Sequence, residues 1–177
     1  MTMTLISTTT VGAGGASNIG FTNIPQGYTD LMLLVSAKTN VNGTVDGVRL
    51  TVNNIDLYPS GWGKRLFGSG SGTASDSSYN FIAITGSGTG MTNTFGNVSI
   101  YLPNASGNDL KLISSDSVTE NNGTTAYQML GAGLSSVSAP ITSVSIGNFD
   151  SGGTAFVQYS TVSLYGIQKG GTTPTVA

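Results

Sequence analysis

Seven Asp and a single Glu, Glu120, are the carboxylates of this sequence, and the chain contains neither His nor Cys. Without an imidazole there is no Ser-His nucleophile, no His-ligated zinc and no commonest general base. Without a thiol there are no disulfides and no thiolate metal sites, and the redox compartment leaves no trace in the sequence. A glycosidase-type mechanism needs paired carboxylates. The Asp residues here lie mostly in or beside turns, where a local backbone hydrogen bond is their ordinary task. Asp116 with Glu120, and Asp46 with Asn42, lack the dense Asp-x-Asp-x-Asp spacing of a calcium loop. The tracts Gly68-Ser-Gly-Ser-Gly72 and Gly86-Ser-Gly-Thr-Gly90 lack both the Gly-Lys-Ser/Thr ending of a phosphate cradle and a helix to follow it. We therefore expect no enzyme, no cofactor and no metal.

Binding residues are easier to name. Trp62, the single Trp, falls in the weakly patterned segment 54–78 beside Tyr58, Lys64, Arg65 and Phe67, and this group has the chemistry to stack on a sugar ring or enter a partner's pocket. The plainer reading, which we favour for the aromatic pair, is that Trp62 and Phe67 pin a long loop to its own domain. At the other end of the chain, Leu5, Ile6 and Val11 precede the hinge-like Gly12-Ala-Gly-Gly15. Such a segment is able to pair with an exposed sheet edge on another chain.

Charge narrows the partners. Charged residues make up 8% of the chain, and its six Lys and Arg are scattered along it with no basic stripe, so nucleic acid is not expected. No apolar run approaches the ~20 residues that cross a bilayer, and the first residues lack the basic and apolar regions of a signal peptide. We expect a soluble protein with no membrane association. A surface rich in Gly, Ser and Thr but poor in charge favours packing against copies or partners.

The elements that hold these residues read as strands. The longest run of strand formers, from Gly153 to Ile167, predicts a central strand with apolar residues on both faces. Residues 28–38 alternate Leu31, Leu33, Val35 and Ala37 against Met32 and Leu34, the pattern of a strand between two covered faces. Residues 48–52, 79–85, 94–102, 110–114, 124–134 and 141–146 add further strands, and the pair 94–102 and 110–114 reads as a hairpin. Asp46-Gly47 reads as a turn, 53–78 as a loop and 116–123 as a polar loop. About nine or ten strands result, with negligible helix, and we expect an all-β, jelly-roll-like antiparallel β-sandwich. Its core is predicted to hold Leu31, Leu33, Val35, Val48, Leu50, Val98, Ile100, Leu102, Val144, Ile146, Val162 and Leu164. Residues 1–15 form an extended arm or first strand, 16–168 a single domain, and 169–177 a flexible tail.

Two stretches carry a resemblance. Ile24-Pro25-Gln26-Gly27-Tyr28-Thr29-Asp30-Leu31 and Thr161-Val162-Ser163-Leu164-Tyr165-Gly166-Ile167 resemble the beginning and end of a group of tailed-bacteriophage virion proteins with jelly-roll domains. The segments Asp46-Gly47-Val48-Arg49-Leu50 and Phe67-Gly68-Ser69-Gly70-Ser71 are similar as well. The resemblance implies a virion structural protein, made in the host cytoplasm. Its first form is a capsid decoration (cement) protein, a homotrimer on the capsid surface bound to the major capsid protein of the head. Its second form is a tail-fibre or receptor-binding module that recognises host surface glycans through 54–78. No catalytic, cofactor or metal residues come with it.

Overall fold

The computed structural model describes residues 2–56, 63–70, 72–77, 81–120, 122–123, 126–149 and 155–168. Within them lie thirteen strands and no helix: β1 Thr2–Thr10, β2 Asn18–Phe21, β3 Asp30–Ala37, β4 Val45–Val52, β5 Ile55–Asp56, β6 Gly63–Ser69, β7 Gly72–Asp76, β8 Ala83–Gly86, β9 Gly96–Leu102, β10 Lys111–Glu120, β11 Ala126–Ser135, β12 Val144–Asn148 and β13 Thr161–Gln168. An eight-stranded sheet runs β1-β13-β3-β9-β10-β11-β6-β7, and a smaller sheet runs β2-β12-β4-β5, with β8 also pairing β4. All these strand pairs are antiparallel, so the molecule is the all-β sandwich that alternation predicts.

Period-two patterning decides which side chains enter the space between the sheets. All twelve predicted core residues are buried there, joined by Ile19, Phe21, Val52, Ile113, Ile141 and Phe156. The half of the core under β10 is more polar. Ser117 Oγ accepts a hydrogen bond from Ile84 N at 3.1 Å and donates to Met129 O at 3.3 Å, while Ser115 Oγ donates to Ile82 O. Hydroxyls on the large sheet therefore satisfy main-chain groups at β8, which lets a polar strand edge sit inside the sandwich without a burial penalty.

Several expectations fail for identifiable reasons. The count is thirteen strands, above the nine or ten expected, because 53–78 is not one loop: it contains β5, β6 and β7. Asn53 and Asn54 take φ of 49° and 62° between the paired residues Val52 and Ile55, the left-handed conformation that a two-residue hairpin turn requires and Asn tolerates. The predicted polar loop 116–123 is in its first half the end of β10, where the inward-facing Ser117 and Thr119 are buried although polar. Asp46-Gly47 is no turn but lies within β4. The long strand read from Gly153 is interior, flanked by β1 and β3, yet it begins only at Thr161; Phe156 forms isolated bridges to Ala16 and Thr39, and Tyr159 turns the chain at φ 72°. Gly153 and Thr154, with the tail 169–177, lie outside the described residues. Within the stretch 1–15, read as an arm or a first strand, Thr2–Thr10 form β1, which pairs along its length with β13 of its own chain.

Candidate partner-binding surface

Arg65 and Phe67 stand on alternate residues of β6 and share its inner face, where they meet Phe81 in the approach to β8. The Arg65 guanidinium donates through Nε and Nη2 to the two carboxylate oxygens of Asp76, each at 2.7 Å. Its plane lies 4.5 Å from the Phe81 ring centre and 5.2 Å from that of Phe67. Phe81 continues to Phe149 at 5.5 Å, over which Arg49 stacks at 5.2 Å. Gly47 makes this possible: a Cβ there would come within 2.4 Å of the Phe81 ring. A cavity of about 210 Å³ opens beside the cluster, lined by Val45, Arg65, Phe67, Phe81, Ile84, Tyr127 and Met129.

The cluster is a structural clasp. A bidentate Arg-carboxylate pair uses the fork that would otherwise grip a ligand's carboxylate or sulfate. Cation-π stacking on two rings fixes the same side chain further. Of the expected contact residues in 54–78, Arg65 and Phe67 thus come together facing inward, and Tyr58 and Trp62 lie outside the described residues. Phe81, which completes the cluster, was read only as a strand residue, because nothing in its sequence neighbourhood points across to β6.

The N-terminal candidates separate as well. Leu5 projects outward and is 53% exposed. Ile6 sits where the β1-β13 register shifts between Leu5 and Ser7, and this bulge turns its side chain onto the core. Val11 is buried, its N–H donating to Ser160 O at 2.8 Å and its carbonyl accepting from Tyr159 N at 2.9 Å. Of the three residues expected to meet a partner, Ile6 and Val11 thus pack into their own chain, and Leu5 alone has an exposed side chain.

Sequence reasoning missed a larger feature, the outer face of the eight-stranded sheet. Register places Leu5, Tyr165, Met32, Tyr101, Ser114, Ala132 and Lys64 in one row across seven strands. The next row reads Thr8, Ser163, Leu34, Ser99, Asp116, Leu130, Leu66 and Ser75. Among the described residues eleven large hydrophobic side chains are exposed, and seven stand on this face: Met3, Leu5, Leu34, Leu66, Leu112, Val118 and Leu130. Among the described residues, exposed charge there is confined to Lys64 and Asp116, with Glu120 half-buried at the end of β10. A face so apolar and so poorly charged resembles an interface more than a solvated surface.

Buried ionisable groups act within the chain. Asp30 accepts from Tyr101 Oη at 2.7 Å and from Asn104 N at 2.9 Å, and this bond together with burial pushes the Tyr101 phenol up to about 12. Lys111 is fully buried; Nζ donates to the carbonyls of Gly107 and Asp109, and burial lowers its pKa. Lys38 Nζ donates to Met91 O at 2.6 Å and to Gly90 O at 3.2 Å, and Glu120 accepts from Met91 N at 2.7 Å, so the two residues together hold the loop after β8. Among the described residues no three of His, Cys, Asp and Glu gather into a metal-binding group. Comparison with protein-family models, curated proteins and solved structures finds no match for this chain.

Proposed function

We propose that this chain is a bacteriophage virion structural protein, a decoration protein that binds and stabilises the assembled head. The observation that carries the reading is the outer face of the eight-stranded sheet, where apolar side chains stand exposed among hydroxyls with little charge. A surface of this kind gains by being covered, and many copies on a lattice cover it at low entropic cost per copy. The resemblance of 24–31 and 161–167 to tailed-phage virion proteins supplies the assembly; the partners are further copies of the chain and the major capsid protein. No reaction is assigned. The chain has no His or Cys, and its Arg65-Asp76 and Asp30-Tyr101 groups are engaged with one another.

The rival reading, host recognition through 54–78, loses Arg65 as a free ligand for glycan, because Asp76 already occupies its fork. Electron microscopy of virions separates the two. Copies in the hundreds over the head are expected; a handful at the tail tip, or none in the particle, overturns decoration. Binding to host cells that Trp62→Ala abolishes while leaving the fold intact would restore the rival.

A further inference from the structure

We infer that the outer edge of β1, which no other described strand pairs, pairs with the same edge of a second copy, antiparallel and about a two-fold axis, joining two eight-stranded sheets into one; this rests on the reading of the chain as an assembly subunit. The observation is how differently the fold treats its edges. Natural sheets blunt exposed edges by keeping them short, charging them or covering them. β2 is four residues long and β5 two. β8 is covered by the hydroxyls of Ser115 and Ser117. β7, the opposite edge of the large sheet, is five residues long and carries Asp76. β1 is nine residues long, exposed along most of its length, and holds neither a charge nor a Pro. One bulge interrupts it, after Leu5.

Its chemistry suits its own copy. An isologous pairing sets each residue against another from the same strand, so a charged strand would oppose like with like. The first charged residue of the chain is Asp30, well beyond β1, so self-pairing brings no such repulsion. Met3 and Leu5 flank the edge on the outer face and continue inward through Tyr165 and Met32, so a mate extends an existing apolar stripe. A nine-residue edge about 30 Å long and about 10 Å deep covers roughly 300 Å² per copy. The total, about 600 Å², falls short of the ~1,200 Å² at which stable interfaces begin. The pair is therefore weak in free solution and gains strength where copies are held side by side on one surface.

Because the chain lacks Cys, one introduced thiol reports one contact. Met3→Cys, Leu5→Cys, Thr8→Cys and Thr10→Cys place a thiol at successive outward positions of β1, and Thr73→Cys places one on β7. Oxidation of concentrated full-length protein is expected to give disulfide dimers about tenfold faster at the β1 position nearest the axis than at Thr73, falling away on either side of that position. At high protein concentration, sedimentation equilibrium should show a concentration-dependent dimer that Leu5→Lys dissolves and Leu112→Lys, on the distant β10, leaves intact. Equal cross-linking on β1 and β7, a trimer in place of the dimer, or loss of the dimer with Leu112→Lys but not Leu5→Lys overturns the inference. Absence of the chain from virions with the β1 cross-link intact would instead remove only the decoration reading.

Discussion

Asn53 offers a test whose terms separate cleanly. It is the first residue of the two-residue turn between Val52 and Ile55, at φ 49°. Its side chain also ties that turn to the segment before β12: Nδ2 donates to Pro140 O at 2.8 Å, and Oδ1 accepts from Thr142 N at 2.8 Å and Ser143 N at 3.1 Å. These three bonds contribute about 0.5–1 kcal/mol each, so losing them costs roughly 1.5–3 kcal/mol, and a longer fourth from Thr142 Oγ1, at 3.3 Å, adds little. A left-handed residue with a Cβ and no compensating polar group costs about 1 kcal/mol more. Asn53→Gly should therefore lose about 1.5–3 kcal/mol, and Asn53→Ala about 1 kcal/mol beyond that. Asn53→Asp, which keeps the acceptor and loses only the donor to Pro140, should lose the least. Urea denaturation followed by tryptophan fluorescence measures all three, and an unchanged slope with a lower midpoint shows that stability alone has moved. Equal losses for Gly and Ala would refute the turn argument. Losses below about 0.5 kcal/mol for both would refute the bonding argument as well.

Three further outcomes follow from buried contacts. Ser117→Ala removes the hydroxyl between Ile84 N and Met129 O and should cost about 1–3 kcal/mol, whereas Ser99→Ala on the outer face should be close to silent in the same denaturation experiment. Gly47→Ala forces the Phe81 ring off β4 and should cost about 1–3 kcal/mol, with altered ring-current shifts at Phe149 in NMR spectra as the local signature. Tyr101 is held protonated in the fold up to about 12, above the ordinary phenol value of 10.0, so the folded state binds the extra proton between the two. Its contribution is full below pH 10 and disappears as pH rises towards 12; Tyr101→Phe should flatten that alkaline loss of stability, and an unchanged pH profile would count against the Asp30 bond as its cause.

The fold was readable where one face of a strand is apolar and the other is not. Val98 to Leu102 and Val48 to Val52 alternate apolar with polar without a break, and their apolar residues are buried as the pattern says. It was unreadable where polar residues do the work of apolar ones. Ser115, Ser117 and Thr119 face inward on β10, so its second half resembles a loop in sequence although it is an unbroken ladder against β11. The hairpin of β6 and β7 hid for a related reason: its Gly and Ser residues carry almost no periodic signal, and the Arg65-Asp76 pair that fixes it links residues whose charges look merely scattered along the chain.

The candidate surface came to light through one of those failures. Met32 and Leu34 oppose Leu31 and Leu33 along β3, and apolar residues on both sides of a strand ordinarily mean two covered faces. Among the described residues only one face is covered; Met32 is half-buried and Leu34 exposed. β13 repeats the pattern with Tyr165 opposite Leu164, and β10 repeats it with Leu112 and Val118 on the side away from Ile113. Local pattern and global burial therefore disagree on the same face of several adjoining strands, and such conflicts in natural sequences concentrate at functional sites. A sequence patterned for two covered faces, in which the described residues cover one, is what the proposed role as an assembly subunit calls for.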